Sequence, residues 1–340
     1  MKPLVSILIP AYNAEEWIGE TIRSAIAQTW PRKEIIVVDD GSRDRTAEVA
    51  RQFVAKDVAV ISTENQGASA ARNLALHLSE GDYVQWLDAD DLLAPDKIQQ
   101  QLDALRENDG GRVLLYSPYA CFYYRTRCAQ FQACSALRDL SPVEALLVQM
   151  SPHSKMQTAT WLTSRELANA AGAWDTRMQS DDDAEYFARV ILLSKCTRFV
   201  PEAKVFYRIV GTNRQSQISG SDKKREALVL SMKLRIQYIR SLEDSDRVRK
   251  ACLEYLQRPF GYFYPDRPDL MTEMQAMAAE LGGQLEIPRL RWKYAWMKPV
   301  FGEKVANRAQ EALPGLKASC IIRWDKMMYK LENRPGVVEA

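Results

Sequence analysis

The stretch that decides the fold is VSILIPAYN, residues 5–13, in which a run of branched apolar residues ends on Pro, Tyr and Asn. Such a run is typical of a buried strand, and its polar end is typical of a turn. The pattern returns at residues 34–42, EIIVVDDGS, and at residues 83–91, YVQWLDADD, where the apolar runs end on aspartates. Because open parallel sheets bind ligands at the carboxyl ends of their strands, we expect these three polar ends to meet at one edge.

Between residues 5 and 119 such runs alternate with amphipathic helical patterns, which predicts βαβ units and an α/β fold with a mostly parallel sheet. Strands are expected at residues 5–9, 34–38, 58–61, 83–87 and 113–117, and helices at residues 17–29, 46–53 and 69–78. Asn13 followed by Glu16 resembles a capping box for the first helix, and Pro95 suits the first position of a fourth. Further along, residues 141–150 and 182–193 are predicted to be helical and residues 158–163 extended.

Length and composition indicate a globular protein with one large core and an appended region. The chain has 340 residues, of which 46% are hydrophobic and 26% charged, and its net charge is +2. So small a charge does not indicate a nucleic-acid partner. We expect a first domain over residues 1–221 and a helical, basic region over residues 222–340, separated by the polar stretch 211–221.

The N-terminus and the cysteines indicate a cellular compartment. The chain becomes acidic at Glu15 and Glu16, too early for a signal peptide, and no run approaches the ~20 apolar residues of a membrane span. The six cysteines form no C-x-x-C pair, and the two histidines have no neighbouring ligand, so structural zinc is not expected. These features predict a cytoplasmic protein with reduced thiols, in contact with the inner face of a membrane at most through its surface.

The Asp88-Ala89-Asp90 triplet predicts a metal site. On an extended segment Asp88 and Asp90 share one side while Asp91 points away. Carboxylates crowded at one sheet edge repel each other without a cation, and oxygen ligands completed by a diphosphate suit Mg²⁺ or Mn²⁺. Any one of the polar ends, taken alone, is equally typical of a turn or a helix cap.

Five short strings occur in the order and spacing of a known family. They are VSILIPAYN (5–13), VVDDGSRDRT (37–46), NQG (65–67), ARN (71–73) and LDADD (87–91). Over roughly the first two thirds of its length the chain resembles the family 2 inverting glycosyltransferases of GT-A fold. The resemblance implies a nucleotide-binding, mostly parallel sheet flanked by helices. It also implies transfer of a hexosyl or N-acetylhexosaminyl group from a nucleotide-diphosphate sugar, with UDP favoured over dTDP, to an acceptor hydroxyl on a glycan or lipid-linked saccharide.

The same resemblance implies roles for individual residues on the donor side, residues 1–119. Tyr12, which follows Pro10 in the first motif, matches the residue that stacks on the base, and Asp39 matches the carboxylate that accepts the ring N–H. Arg72 matches a basic residue near the base and the diphosphate. Asp90 matches the direct metal ligand, and Asp88 lies beside it at the metal and the donor.

Asp183 is the expected catalytic base on the acceptor side, residues 120–221. The segment SDDDAEYFAR, residues 180–189, resembles the one in which the family places its acidic base, and alignment on its Phe and Arg selects Asp183. Helical spacing puts Asp183 on one stripe with Phe187, Val190 and Ser194, so its carboxyl continues a buried face, where burial and like charges raise its proton affinity. The alternative is that the aspartates only cap a helix.

Two further regions carry expectations. Arg208 and the polar residues beyond it, Asn213, Arg214 and Ser216, match a lid loop over the diphosphate, although Val210 stands where many relatives carry His; a domain linker fits equally well. Between residues 289 and 330, Lys and Arg are mixed with Trp, Tyr and Phe. This composition is typical of a surface resting on anionic lipid, or of aromatic residues that pack onto the first domain.

Other functions of similar folds are less compatible with the sequence. A sugar-phosphate nucleotidylyltransferase should open with a Gly-rich loop, and Pro10-Ala11-Tyr12-Asn13-Ala14 has no glycine. A dinucleotide oxidoreductase requires a G-x-G-x-x-G after its first strand, which is also missing. A non-catalytic nucleotide-sugar-binding protein of the same fold is the remaining alternative, because motifs alone do not prove turnover.

Overall fold

The computed structural model describes residues 2–107, 109–132, 138–152, 156–209, 221–287, 299–300 and 321–332. The expected lid loop, with Val210, Asn213, Arg214 and Ser216, lies outside the described residues. So does most of the aromatic and basic segment 289–330, except residues 299–300 and 321–330.

Strands and helices alternate through the first 120 residues, and helices dominate the end of the chain. The strands are β1 (Val5–Ala11), β2 (Lys33–Asp39), β3 (Val58–Ser62), β4 (Tyr83–Trp86), β5 (Leu92–Leu93), β6 (Val113–Tyr116), β7 (Tyr119–Phe122), β8 (Gln130–Phe131), β9 (Thr163–Ser164), β10 (Cys196–Phe199) and β11 (Val205–Arg208). The helices are α1 (Ile18–Ile26), α2 (Thr46–Arg51), α3 (Ala68–Leu78), α4 (Lys97–Asp103), α5 (Pro142–Met150), α6 (Arg165–Ala171), α7 (Asp182–Leu193), α8 (Asp222–Leu242), α9 (Asp246–Phe260) and α10 (Pro268–Glu280).

The central sheet has the strand order β3-β2-β1-β4-β9, and its first four strands are parallel. Every residue of β1 is buried, as expected for a central strand covered on both faces, and α3 packs across β1 and β2. The mostly parallel α/β sheet is therefore confirmed. Because β1, β2 and β4 run in one direction, their carboxyl ends meet at a single edge.

The remaining strands form two smaller sheets. β6 pairs with β10, and β11 pairs with β5 and β7. The strand expected at residues 113–117 thus forms, but outside the central sheet. The extended segment expected at residues 158–163 is wrong over Thr158–Thr160, which form a 3-10 turn ahead of β9.

Two predicted helix starts are also wrong. α1 begins at Ile18, and Asn13 adopts a left-handed conformation with φ of 48° instead of capping it. The side chain of Asn13 accepts a hydrogen bond from the backbone of Arg43, so the residue serves a loop and the capping box with Glu16 does not form. α4 begins at Lys97, two residues after Pro95. By contrast, α7 covers residues 182–193 as predicted.

The helical C-terminal region is present and shares its core with the first domain. Apolar side chains of α8, α9 and α10 join those of α7 in one hydrophobic cluster, which contains Phe187, Met232, Phe260 and Met274. Residues 321–332 are also helical and are called the C-terminal helix below. Within the described ranges, no helix has the length and apolar character needed to cross a membrane.

Candidate active site

The loops after β1 and β2 are tied together at the sheet edge. The backbone N–H of Arg43 donates to Asn13 Oδ1 at 2.8 Å, and Ser42 Oγ accepts from the Asn13 N–H at 3.0 Å. Ala11 is the register partner of Asp39. The first two polar motifs therefore meet, as their positions after parallel strands predict.

Asp40 holds a third loop to this pair. Its two carboxylate oxygens accept the backbone N–H groups of Gln66 and Gly67, each at 2.8 Å. Gly41 turns with φ of 68°, and a Cβ there would lie 2.7 Å from the nitrogen of Asn65. Asp40 is thus a structural residue that fixes the loop leading into α3.

The expected donor-binding residues lie side by side at this edge. Tyr12 is 46% exposed directly after β1, so its ring can receive a flat ligand. Asp39 is buried at the end of β2, where its carboxylate accepts the Ser42 N–H at 3.3 Å. Pro10 is buried within β1, opposite Val38. The structure therefore brings Pro10, Tyr12 and Asp39 together.

The Asp-x-Asp segment is a turn, not the extended segment expected. The Asp91 N–H donates to the Asp88 carbonyl at 3.1 Å. Two residues hold the turn through its other carbonyls: Thr21 Oγ1 donates to Ala89 O at 2.9 Å, and Arg208 Nε donates to Asp90 O at 2.8 Å. The separation of the Asp88 and Asp90 carboxylates is thus set by a turn braced by helix α1 and strand β11.

Asp91 lies inside the protein behind this turn. It is fully buried, and its Oδ1 accepts the backbone N–H of Arg208 at 2.8 Å. Burial, and then the charges of Asp90 and Asp88, raise the pKa of Asp91 well above its usual value. Asp91 therefore points away from solvent, as expected, and three carboxyl groups crowd one turn.

Arg72 connects the turn to the helix that carries the expected base. Its Nη2 donates to Asp88 Oδ1 at 2.9 Å and its Nη1 to Asp182 Oδ2 at 2.5 Å, while its guanidinium lies 4.4 Å from the centre of the Trp174 ring. Burial lowers the pKa of Arg72, but Asp182 and Asp88 more than offset this, so the net shift is upward. Arg72 is thus a fixed cation between Asp88 and α7.

Asp183 lies in the first turn of α7 and is half-buried. Burial, and then the charges of Asp182 and Asp181, raise its pKa from 3.8 to about 7, against the opposing charge of Arg72. The stripe that continues from Asp183, namely Phe187, Val190 and Ser194, is buried as predicted. A carboxyl group with this proton affinity is suited to take a proton near neutral pH.

Helix capping does not account for these aspartates. The N-cap position of α7 is Asp181, which is left-handed with φ of 60° and makes no side-chain bond to the helix backbone. Its carboxylate instead accepts from Ser231 Oγ at 2.6 Å, and Ser180 Oγ donates to the Lys224 carbonyl. The start of α7 is therefore held by α8.

Arg208 does not lie where the sequence placed it. At the end of β11 it is 1% exposed, and its guanidinium meets Glu20, the Asp90 carbonyl and the rings of Trp17 and Phe122. A direct contact with a diphosphate was expected, and this is corrected: a buried guanidinium needs its charged partner, and Glu20 already supplies it. Arg208 is a residue that positions the Asp-x-Asp turn.

The residues present fit a hard divalent cation. Asp88 and Asp90 offer oxygen ligands at the turn, where Arg72 binds Asp88. Among the described residues no group of three or more His, Cys, Asp or Glu side chains converges on a metal position. Mg²⁺ and Mn²⁺ commonly take one or two carboxylates and complete their shells with phosphate oxygens and water, so this small ligand set suits a metal that arrives with a diphosphate.

The sequence alone missed three residues of the site: Asp182, Trp174 and Glu20. Asp182 lies within the segment 180–189, Trp174 lies six residues before that segment, and each touches Arg72. Glu20 carries no motif, and only its position in the first turn of α1 marks it. Each acts through a partner more than 80 residues away in the chain, which local patterns do not record.

The parallel sheet that carries the Asp-x-Asp turn at its carboxyl edge has the fold of solved GT-A structures. S. aureus TarS 1–349 in complex with UDP-GlcNAc matches with a TM-score of 0.63 and 16% identity, covering 91% of each chain. The mannosyltransferase PcManGT of Pyrobaculum calidifontis, solved with GDP-Man and Mn²⁺, matches with a TM-score of 0.53 and 20% identity, covering 96% of this chain and 88% of that one. These likenesses confirm the GT-A fold.

Sequence comparison points to one family. Residues 6–135 match the model of glycosyl transferase family 2. An uncharacterized glycosyltransferase of Rickettsia typhi is 31% identical over 193 residues, which are 57% of this chain and 60% of that protein. Residues 6–135 are therefore similar to glycosyl transferase family 2, and the chain spans about 60% of the length of the Rickettsia typhi relative.

Proposed function

We propose that this protein is an inverting glycosyltransferase that moves a hexosyl or N-acetylhexosaminyl group from a nucleotide-diphosphate sugar to an acceptor hydroxyl. The observation that carries the proposal is the position of Arg72, which binds both Asp88 and Asp182. It places a carboxyl group of raised pKa, Asp183, beside the Asp-x-Asp turn. The transfer needs these two features in one site.

The donor site is formed by Tyr12 and Asp39, and Pro10 fixes the end of β1 just before Tyr12. The exposed Tyr12 ring stacks on the base, and Asp39 accepts the ring N–H that uracil and thymine both present. The UDP-GlcNAc of the TarS crystal supports a UDP-sugar for this chain as well. Arg72 and Asp88 lie where the diphosphate would reach the turn.

The turn would hold Mn²⁺ or Mg²⁺, with Asp90 as the main ligand and Asp88 as the second. The Mn²⁺ in the PcManGT crystal supports this assignment. When bound, such a metal stabilises the negative charge of the leaving diphosphate. The chain itself supplies the geometry, since Thr21 and Arg208 fix the turn that carries both carboxylates.

Asp183 acts as the general base. Its carboxylate takes the proton of the acceptor hydroxyl as that oxygen forms a bond to the anomeric carbon. The bond between this carbon and the diphosphate oxygen breaks on the opposite face, its electron pair leaves with the diphosphate, and the configuration inverts. The transition state resembles an oxocarbenium ion, and a positioned base contributes about 10²- to 10⁴-fold.

The chain divides by role at residue 221. In this proposal residues 1–119 bind the nucleotide sugar, residues 120–221 form the acceptor side, and residues 222–340 brace it. Contacts between α8 and the start of α7 support the brace: Ser231 donates to Asp181 at 2.6 Å, and Tyr238 donates to Glu185 at 2.9 Å. The acceptor is a glycan or lipid-linked saccharide.

The C-terminal helix has a surface suited to anionic lipid, which would bring the enzyme to a lipid-linked acceptor. Ile321, Trp324, Met327 and Leu331 recur at helical spacing and are all exposed, with Lys330 exposed beside them. An apolar stripe edged by positive charge complements an anionic bilayer surface. Flotation with liposomes tests this, and no binding with or without anionic lipid contradicts it.

The central test has two stages. A thermal-shift screen of nucleoside diphosphates and nucleotide sugars with Mn²⁺ should find a ligand that stabilises the fold. That donor is then incubated with candidate acceptors, and the anomeric configuration of the product is read by NMR. Retention of configuration would refute an inverting base. Tight donor binding with neither transfer nor slow donor hydrolysis would support the non-catalytic alternative.

A further inference from the structure

The C-terminal helix is docked against the first domain by buried polar contacts. Asp325 is 5% exposed, and its carboxylate accepts the Tyr124 N–H at 2.9 Å and Arg125 Nε at 2.7 Å. Lys326 pairs with Glu16, just before α1, at 3.0 Å. A helix more than 300 residues from α1 in the chain therefore packs beside it.

From this helix a continuous series of hydrogen bonds leads to the Asp-x-Asp turn. The Tyr329 hydroxyl donates to Glu20 Oε1 at 2.9 Å. Glu20 Oε2 accepts from Arg208 Nη2 at 2.6 Å, and Arg208 Nε donates to the Asp90 carbonyl at 2.8 Å. Glu20 and Arg208 each use different atoms for their two partners, so all three bonds coexist.

The middle of this series is sensitive to change. Arg208 is almost fully buried, and a buried guanidinium is costly unless a carboxylate and further acceptors surround it. The Glu20 side chain is about one-third exposed, so its rotamer depends on the hydrogen bond that its second carboxylate oxygen, Oε1, accepts. Tyr329 holds it. If Glu20 turned towards solvent, Arg208 would have to reorganise and would release the Asp90 carbonyl.

We propose that the C-terminal helix is a positioning element of the donor site, acting through Tyr329, Glu20 and Arg208 on the turn that carries Asp88 and Asp90. The proposal rests on the proposed function, because the turn matters as the metal site. Metal affinity depends on the spacing of the carboxylates, most strictly for Mg²⁺ with its near-octahedral geometry. Contacts on the outer side of α1 therefore tune metal binding without touching the metal.

The test compares three single variants of the full chain. Tyr329→Phe removes one hydroxyl, Glu20→Gln removes the charge facing Arg208, and Lys326→Met removes a neighbouring contact of the same helix. The dissociation constant of Mn²⁺ is measured by calorimetry at saturating UDP. We expect about a 3-fold rise for Tyr329→Phe, about a 10-fold rise for Glu20→Gln and no change for Lys326→Met. The first two changes should not add in the double variant, since they interrupt one series.

A second readout needs no metal. Hydrogen exchange of the peptide covering residues 88–93 should accelerate in Tyr329→Phe and Glu20→Gln, while exchange in β1 stays at its wild-type rate. The melting temperature should be unchanged in Tyr329→Phe and lower in Glu20→Gln, which leaves the buried Arg208 guanidinium without its charged partner. Lys326→Met should leave the peptide unchanged. Equal Mn²⁺ affinity and exchange in all three variants would overturn the proposal, and so would an equal loss in all three, which would mean that helix docking alone matters.

Failure of the proposed function gives a different result. If the metal site is assigned correctly, Asp90→Ala abolishes Mn²⁺ binding, and the variants of the series then test the positioning role alone. If the wild-type chain binds no Mn²⁺ with UDP, both proposals are overturned together. Normal Mn²⁺ binding in Tyr329→Phe and Glu20→Gln, with binding lost in Asp90→Ala, overturns only the role of the C-terminal helix.

Discussion

Replacing Asp183 with Asn should stabilise the protein while it abolishes transfer. The pKa of Asp183 rises from 3.8 in an unstructured chain to about 7 in the fold. A carboxyl group with a raised pKa holds its proton more tightly when folded, so stability is lost as pH rises from 3.8 towards 7. Asparagine has no charge to ionise and avoids this loss.

The magnitude follows from the size of the shift. Each pKa unit is worth about 1.4 kcal/mol, so a shift from 3.8 to about 7 corresponds to about 4 kcal/mol above pH 7. The carboxyl is half-buried and solvent screens part of its charge, which leaves about 2–4 kcal/mol. At pH 5 the same reasoning gives a loss of stability of at most about 1.5 kcal/mol from Asp183.

Urea unfolding of wild type and Asp183→Asn at pH 5 and pH 8 measures this difference directly. The variant should gain stability mainly at pH 8, bind UDP as the wild type does, and lose transfer by at least about 10²-fold. Asp182→Asn is the matched control, because Asp182 binds the buried Arg72. Loss of the Asp182 charge should lower the free energy of unfolding by about 1–3 kcal/mol at either pH. If the difference in unfolding free energy between Asp183→Asn and wild type were the same at pH 5 and pH 8, the reasoning would be refuted.

Three further outcomes are expected. Asp90→Ala should abolish Mn²⁺-dependent UDP binding in calorimetry and leave the weaker binding in EDTA intact; equal binding of wild type and variant with Mn²⁺ would exclude Asp90 as a ligand. Burial lowers the pKa of Lys97 well below 10.5, so wild-type stability should rise with pH up to about that value, and urea unfolding of Lys97→Met should show a flatter dependence. Asp40→Ala leaves the Gln66 and Gly67 amides without their acceptor and should cost about 2–4 kcal/mol in thermal unfolding, whereas an unchanged melt would contradict a structural role.

The sequence predicted the parts of the fold that depend on local pattern. The apolar run of β1 and the 3.6-residue period of α7 are properties of neighbouring residues, and the structure has both. Three polar ends after parallel strands had to share an edge, and they do. Pairing in the two smaller sheets depends on distant segments: β11 has only four residues, and its neighbours are β5 and β7. No local period marks such a strand.

The sequence predictions failed where a side chain that fits a local motif binds a residue distant in the chain instead. Asn13 and Glu16 have capping-box spacing, but Arg43, 30 residues away, takes the Asn13 side chain. Arg208 follows a motif that predicts contact with the diphosphate. Its guanidinium instead binds the Glu20 carboxylate, 188 residues away. A buried cation needs a carboxylate partner, and the fold places Glu20 next to it.

The choice among three consecutive aspartates shows what the structure adds to a motif. Asp181 accepts from Ser231 and lies 3.6 Å from Arg235, and Asp182 is bound by Arg72. In the part of the chain that the structure describes, Asp183 makes no ion pair, and its one hydrogen bond comes from the next backbone N–H, that of Ala184. Burial, and then the charges of the two neighbouring carboxylates, raise the pKa of Asp183 to about 7, and their own arginines keep those two carboxylates in place. Of these three aspartates, we propose Asp183 as the base because its carboxyl group is suited to exchange a proton near neutral pH, a distinction that three identical letters in a sequence do not make.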